Sequence, residues 1–283
     1  LPLPYVTHPA EGEHAATLVM LPGFTNTGKA YGQGWLPTLK QRLGASKLGR
    51  LKIVWLNAPT RTVSCYPDEK ERPRFPAWHD YFTDHGGDEG RPEIEEEIDL
   101  EHMAWARAKI HDVLDEEAAV FGGDLGRIVL GGASQGCCVA LDAALTHKRG
   151  GELAGVFASC GQVYSSTPVP TDRKSLRIAA FHGAADTIIA ASLAMRSYTR
   201  LLDAGFKELR VSLEPGLGHC EPSDAEGVLL VAALHSWGLM EMVPPKSQLR
   251  HTPTIKASPA PLKATVAVQP DGTVAEEAAN GGE

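Results

Sequence analysis

The stretch that decides the fold is Ile128-Val129-Leu130-Gly131-Gly132-Ala133-Ser134-Gln135-Gly136. It begins as a short apolar run, passes through a turn of small residues around one serine, and leads into a segment rich in Ala, Val and Leu. This order predicts a strand, a tight turn and a helix. Side chains two positions before and after Ser134 would collide in such a turn, so glycine is expected at 132 and 136. The turn would lift the Ser134 hydroxyl clear of the sheet edge, where the helix start favours negative charge.

Apolar strands and helices alternate on both sides of this turn. Six short runs, most with continuously apolar cores, are typical of buried parallel strands. They are Thr17–Leu21, Ile53–Asn57, Ile128–Gly131, Gly155–Ser159, Ile178–His182 and Arg210–Glu214. Helical patterns lie between them, at about 35–43, 103–114, 135–146, 190–202 and 223–237. We therefore predict an α/β fold, of the α/β-hydrolase type, with a mostly parallel central sheet and helices on both faces.

A serine hydroxyl is a poor nucleophile without a base, and histidine is the usual base. After such an elbow the chain order is serine, acid, histidine. His219 follows the last predicted strand, where loops reach the same sheet edge as Ser134. The other downstream histidines lie at the end of a helix or strand, inside a helix or near the C-terminus. They are His147, His182, His235 and His251.

The acid is expected in the loop after the preceding strand, and Asp186 lies there. Asp172, in a loop rich in Pro and Thr, and Asp203, late in a helix, fit less well. We predict that Asp186 orients His219 and that His219 takes the proton of Ser134 as Ser134 attacks an ester or thioester carbonyl. An acyl-enzyme would form, and water would then release the acid.

Two backbone N–H groups are expected to meet the negative charge on the attacked oxygen. One belongs to Gln135 and the other to Phe24, in the loop after the first strand. Two alternatives stay open. Ser134 could simply cap a helix, and Asp186 could be a surface carboxylate or a helix cap.

Composition narrows the class of function. The chain has 283 residues and a formal net charge of −8, which argues against nucleic acid as a partner. Its five cysteines read as free thiols, and no spacing suggests a zinc site. No apolar run is long enough to span a membrane. We expect a cytoplasmic protein, although the chain begins at Leu1 and the removal of a targeting segment stays open.

Two segments depart from the regular alternation. Residues 243–283 are rich in Pro, Ala, Gly, Ser and Thr, so we predict a catalytic domain over 1–242 and a flexible tail beyond it. Residues 61–92 form a long stretch that includes the aromatic residues Phe75 and Trp78. A loop of this length favours a role in lining the site over a decorative insertion.

Several motifs in one order give the chain a family resemblance. They are Leu21-Pro-Gly-Phe24 with Thr27-Gly28, Asn57-Ala-Pro59, Trp78-His79-Asp80, Ser134-Gln135-Gly136, His182-Gly-Ala-Ala-Asp186 and Gly216-Leu-Gly-His219. Over roughly Ala16 to Met240 the chain resembles the acyl-protein thioesterase family, which groups with small carboxylesterases and lysophospholipases. It departs from the family pattern at Pro22, where the family usually has His, at Cys137, Ala184 and Ala190, and in the length of the 61–92 loop.

The resemblance implies a hydrolase without a large cap domain and without a cofactor. Its substrates would be acylated proteins, lipids or small esters, with no metal, no nucleic acid, no transmembrane segment and at most transient membrane contact. A monomer or a homodimer is expected. Trp78, Phe75 and Leu217 are the candidates for binding the acyl group.

Two alternative functions stay open. One is a carboxylesterase or lysophospholipase for small or secondary-metabolite esters. The other is a hydrolase fold that only binds a ligand, which the presence of all three residues Ser134, Asp186 and His219 disfavours.

Overall fold

A computed structural model describes Leu3, residues 5–66 and residues 74–240. The described residues belong to one compact unit. The predicted tail, 243–283, and part of the 61–92 loop lie outside them.

The strands and α-helices are as follows. In chain order they are β1 (Tyr5–His8), β2 (Ala16–Leu21), α1 (Gly28–Leu43), α2 (Ala45–Leu48), β3 (Leu51–Leu56), β4 (Thr60–Thr62), β5 (Arg74–Pro76), α3 (Leu100–Ala119), β6 (Ile128–Ala133), α4 (Gln135–Thr146), β7 (Gly155–Ser159), β8 (Ile178–Gly183), α5 (Ala191–Asp203), β9 (Leu209–Glu214) and α6 (Asp224–Ser236).

The main sheet has seven strands in the order β1-β3-β2-β6-β7-β8-β9. Every neighbouring pair is parallel except β1 with β3. All six predicted strands are present, and the α/β-hydrolase fold class is confirmed. The sequence missed β1 and the small β4–β5 hairpin, because β1 is a mostly exposed edge strand and the other two have three residues each.

Helices cover both faces of the sheet, as predicted. Alternate residues of β2 point to opposite faces, so Leu18 and Met20 pack with α1 and α6, while Val19 and Leu21 pack with α3, α4 and α5. The carboxyl ends of the parallel strands therefore meet at one edge, between two apolar layers.

Helix α1 begins earlier than predicted. The glycines before Trp35 suggest a loop, but they allow close packing against β3. A Cβ at Gly28 would lie 2.5 Å from the carbonyl oxygen of Trp55, and one at Gly32 would lie 2.9 Å from the Trp55 ring. The first N–H of α1 donates to the side chain of Asn57 at 2.9 Å, which gives the Asn-Ala-Pro motif a capping role.

Candidate active site

Ser134 lies between β6 and α4 with φ 52° and ψ −124°, a conformation that non-glycine residues rarely adopt. A Cβ at Gly132 would lie 2.5 Å from the carbonyl oxygen of Gly136, and one at Gly136 would lie 2.4 Å from the carbonyl oxygens of Leu21 and Pro22. The turn therefore excludes side chains at both glycines. The Ser134 side chain makes no capping hydrogen bond to α4, so the structure does not support the capping alternative.

The structure brings Ser134, His219 and Asp186 together. The Ser134 hydroxyl lies 2.8 Å from His219 Nε2, and His219 Nδ1 lies 2.7 Å from Asp186 Oδ2. Because Oδ2 can only accept, Nδ1 carries the proton and Nε2 is left to accept from the hydroxyl. This is the arrangement that general-base activation of a serine requires.

Asp186 is almost fully buried, and its other contacts hold it as an anion. Its Oδ1 accepts from the backbone N–H groups of Ile188 and Ile189, each at 2.9 Å. His182 Nε2 lies 3.1 Å from Oδ2 and 2.8 Å from the Ile189 carbonyl oxygen. Burial opposes ionisation, but the hydrogen bonds from His182 and His219 outweigh it and hold the pKa of Asp186 well below its usual range.

The two predicted oxyanion donors are available. The backbone N–H groups of Phe24 and Gln135 have no acceptor in the part of the chain that the structure describes. Gly23 brings the Phe24 loop against the serine, since a Cβ at Gly23 would lie 3.2 Å from Ser134 Cβ. The Thr25 N–H, bonded to the Pro76 carbonyl oxygen at 2.9 Å, anchors the other side of that loop.

Trp78 lies away from both cavities at the site, which argues against the predicted role in binding an acyl group. Its side chain is 0% exposed and lines neither cavity at the site. The indole N–H donates to the Pro22 carbonyl oxygen at 2.9 Å, and the backbone N–H donates to Gln135 Oε1 at 2.8 Å. Gln135 Nε2 in turn donates to the His79 carbonyl oxygen at 3.1 Å. The Trp-His-Asp motif therefore fixes the two segments that carry the oxyanion donors.

The other two predicted acyl-site residues lie beside the site. Neither Phe75 nor Leu217 lines a cavity at Ser134. Phe75 packs edge-on against Phe24, with ring centroids 5.5 Å apart. Leu217 accepts from Ala185 N–H through its carbonyl oxygen at 3.0 Å, which ties the histidine loop to the acid loop.

Two cavities open at Ser134, and Phe24, Ser134 and His219 line both. The larger cavity, about 590 Å³, runs between α1 and the start of α6. The smaller cavity, about 240 Å³, is lined by aromatic and aliphatic residues from several loops and from α5. These include Tyr66, Tyr81, Ile94, Ile188, Ile189 and Leu193. Tyr66 and Tyr81 belong to the 61–92 loop, so its described residues do line the site.

Sequence reasoning missed four residues at this edge. His182, at the end of a predicted strand, lies four residues before Asp186, and the structure brings its Nε2 to 3.1 Å from Asp186 Oδ2. Tyr31, Ser159 and Glu226 line the larger cavity. Ser159 ends a predicted strand, and Glu226 lies in the first turn of the last helix. For these two residues, that position is the only signal in the sequence that could have identified them.

The described residues support neither a nucleophilic role for the buried Cys138 nor a metal site. All five cysteines are free, and burial raises the pKa of the Cys138 thiol to about 12, which argues against a nucleophilic role. The described residues contain no cluster of three or more His, Cys, Asp or Glu that could hold a metal ion. Among those residues no helix is both long and apolar enough to cross a membrane.

Several known proteins are similar to this chain in sequence or in fold. Acyl-protein thioesterase 1 of Neurospora crassa is 28% identical over 217 residues, which cover 75% of this chain and 82% of that protein. The crystal structure of Arabidopsis thaliana SOBER1 superposes with a TM-score of 0.64 at 21% identity, covering 78% of this chain and 98% of that one. Zea mays acyl-protein thioesterase 2 gives a TM-score of 0.60 at 22% identity, covering 82% and 99%.

The family itself follows from a match over most of the chain. Residues 4–225 match the phospholipase/carboxylesterase family, and the resemblance predicted from the motifs is confirmed. The prediction of a hydrolase that acts on ester bonds is confirmed with it. The chain is a member of the phospholipase/carboxylesterase family of α/β-hydrolases.

Proposed function

We propose that the protein hydrolyses acyl thioesters or esters through a Ser134–His219–Asp186 triad and an acyl-enzyme. The observation that carries this proposal is the continuous hydrogen-bond series, 2.8 Å from Ser134 Oγ to His219 Nε2 and 2.7 Å from His219 Nδ1 to Asp186 Oδ2. Each atom in the series has the donor or acceptor role that nucleophilic catalysis needs.

In the first half-reaction His219 Nε2 accepts the Ser134 proton while Ser134 Oγ bonds to the substrate carbonyl carbon. The negative charge on the carbonyl oxygen is met by the N–H groups of Phe24 and Gln135. His219, now a cation stabilised by Asp186, returns the proton to the leaving thiol or alcohol as its bond to the acyl carbon breaks. In the second half-reaction His219 takes a proton from a water molecule while the water oxygen bonds to the acyl carbon. The bond from that carbon to Ser134 Oγ then breaks, His219 returns the proton to Oγ, and the carboxylic acid leaves.

The relatives narrow the substrate class. Two of the similar proteins are named acyl-protein thioesterases, so acylated proteins or lipids are the proposed substrates. The aliphatic lining of the smaller cavity, from Ile94, Ile188, Ile189 and Leu193, supports binding of the acyl chain on that side of Ser134. Carboxylesterase or lysophospholipase action on small esters is the second candidate, supported by the family match.

The test is hydrolysis of a series of 4-nitrophenyl esters and matched acyl thioesters, from acetyl to palmitoyl, by the wild type and by Ser134→Ala. Rates that rise with chain length and vanish in the variant support the acyl thioesterase. Rates confined to short oxyesters, and still lost in the variant, support the second candidate. A protein that turns over no substrate and does not react with a fluorophosphonate would be a ligand-binding member of the fold instead.

A further inference from the structure

The larger cavity contains a carboxyl group that the triad does not use. Glu226, in the first turn of α6, hydrogen-bonds through Oε1 to the Ser159 hydroxyl. That hydrogen bond uses only Oε1, and no hydrogen bond to Oε2 occurs among the described residues. Ser159 is close to the reaction centre, because its carbonyl oxygen accepts from the Ser134 N–H at 3.0 Å. The free oxygen of Glu226 is therefore available to a substrate that reacts at Ser134.

The surroundings of Glu226 favour its neutral, protonated form. Burial, reinforced by Cys160 and Glu214 and opposed by the Ser159 hydrogen bond, raises the pKa of Glu226 to about 8. A protonated carboxyl group carries no charge and has one O–H to donate.

Tyr31, on α1, lines another wall of the same cavity and carries a second hydroxyl or carboxyl donor without a partner among the described residues. The residue is 8% exposed, and its hydroxyl has no hydrogen-bond partner within the described part of the chain. The nearby Trp35 indole can only donate, so the Tyr31 proton lacks an acceptor in any case. Contacts with Trp35 and Trp55, at ring-centroid distances of 6.5 and 5.7 Å, fix the ring. A buried donor without an acceptor destabilises the protein, and an acceptor on a bound ligand would remove that cost.

Among its described lining residues the smaller cavity has no unmet buried donor; the buried Gln162 Oε1, which also has no partner there, is an acceptor. Its carboxylates are satisfied within the protein: Glu96 accepts from Thr83 and from backbone N–H groups, and Asp84 accepts from Tyr66 and Asp88. The two halves of an ester lie on opposite sides of the attacked carbonyl. The apolar acyl chain therefore fits the smaller cavity, and a polar leaving group fits the larger one.

The charged residues around the larger cavity restrict the charge of the leaving group that it can accept. No Lys or Arg is among the described residues that line the larger cavity, whereas Asp224 and Glu226 are. Arg42 is not among the lining residues; its Nη2 is paired with Asp224 at 2.9 Å, and its Nε is buried without a partner among the described residues. A phosphate or carboxylate would enter this space without a counter-charge, which is costly.

We propose that the larger cavity is a leaving-group subsite in which Tyr31 and Glu226 donate hydrogen bonds to an uncharged, oxygen-bearing group, and from which anionic leaving groups are excluded. This assignment rests on the proposed function. The acceptor oxygens have two sources with the same chemistry, the hydroxyls of a polyol ester and the carbonyls of an uncharged peptide thioester.

The experiment holds the acyl group constant as octanoyl and varies the leaving group. The substrates are the glycerol ester, the n-propyl ester, the glycerol phosphate ester, an S-octanoyl cysteine peptide with uncharged side chains, and S-octanoyl propanethiol. Wild-type kcat/KM is expected to be about tenfold higher for the glycerol ester than for the propyl ester, or for the peptide than for the propanethiol, and lowest for the phosphate. Which pair shows the preference identifies the source of the oxygens.

Substitutions test whether Tyr31 and Glu226 cause this leaving-group preference. Tyr31→Phe and Glu226→Met should each lower kcat/KM about fivefold to tenfold on the preferred substrate, mainly through KM, and leave the propyl ester within about twofold. Glu226→Gln keeps an N–H donor and should retain the preference. If either variant fails to fold, the wild-type substrate ranking still decides the question.

The outcomes separate the two proposals. Turnover of the propyl ester that survives Ser134→Ala overturns the proposed function. Turnover that depends on Ser134, but with no preference for the glycerol ester or the peptide, or with the phosphate preferred, overturns the subsite and leaves the triad standing.

Discussion

At the scale of single residues, Asp186 shows how the protein keeps a buried carboxylate charged. Four donors converge on its two oxygens: Ile188 N, Ile189 N, His182 and His219. Such a set orients His219 and also stabilises the cation that His219 becomes during the reaction. The motif order in the sequence identified Asp186 and His219, but the role of His182 depends on a loop conformation that the sequence does not specify.

Asp186→Asn should lower kcat by roughly 10³- to 10⁴-fold, because an amide at this position favours the wrong tautomer of His219. Steady-state kinetics on a short 4-nitrophenyl ester measure the effect. Asp142→Asn is the matched control, since Asp142 is also buried and is paired with Arg107 at 2.7 Å, away from Ser134. A loss of kcat that is equal in both variants would show that Asp186 acts only through stability.

We expect Trp78 to affect catalysis indirectly, through the two segments that its hydrogen bonds hold in place. Trp78→Phe removes the 2.9 Å hydrogen bond to the Pro22 carbonyl oxygen, which helps to place the Phe24 N–H. We expect kcat to fall about tenfold or more with little change in KM or in chain-length preference. Trp55→Phe is the control, because the buried Trp55 indole N–H has no partner within the described residues. A shift in chain-length preference in Trp78→Phe would restore the acyl-binding interpretation.

At the scale of elements, glycines decide how closely segments approach. The elbow could be predicted from sequence because its glycines lie at fixed positions around the serine. The start of α1 could not be predicted, because glycines such as Gly28 and Gly32 are also typical of loops. Glycine is needed at both positions because a side chain would collide with the backbone or the ring of Trp55 on β3. Local patterns therefore predicted the turn, whereas the packing between elements that set the helix start was not visible in them.

Gly136→Ala should abolish activity and destabilise the protein, because its Cβ would lie 2.4 Å from the carbonyl oxygens of Leu21 and Pro22, at the end of β2 and just after it. Gly34→Ala, inside α1, has nothing within 4 Å of the added Cβ and should instead stabilise by about 0.5–1 kcal/mol. Denaturant unfolding of both variants tests the contrast. Equal stability of Gly136→Ala and the wild type would contradict the packing described for the elbow.

At the scale of the whole molecule, the sheet brings residues far apart in sequence to one edge. The fold class and the three triad residues could be predicted because each follows a strand with a clear apolar pattern. The larger cavity could not, since Tyr31, Ser159 and Glu226 come from three elements whose proximity only the tertiary structure sets. The cytoplasmic location, the monomeric or homodimeric state and the tail at 243–283 stay predictions.

Glu226 makes stability depend on pH. Its folded pKa of about 8 exceeds its ordinary value of 4.5, so between these values the folded chain binds more protons at this site than the unfolded chain. The free energy of unfolding should therefore fall as pH rises through this window, by up to about 1.4 kcal/mol per pH unit from this group. The groups around Glu226 are Ser159, Cys160, Glu214, Tyr31 and Cys220.

Glu226→Gln removes this titration. Urea unfolding across the window should show the variant gaining stability relative to the wild type as pH rises. Glu101→Gln, at an exposed position on α3, should run parallel to the wild type. Parallel curves for Glu226→Gln as well would mean that Glu226 is ionised throughout the window.

Formation of an acyl-enzyme on Ser134 is tested by mapping a fluorophosphonate adduct with peptide mass spectrometry, alongside turnover by Ser134→Ala. We expect one adduct, on Ser134, in the wild type, and no adduct and no turnover above background in the variant. An adduct on another residue, or turnover by Ser134→Ala close to that of the wild type, would contradict this role of Ser134.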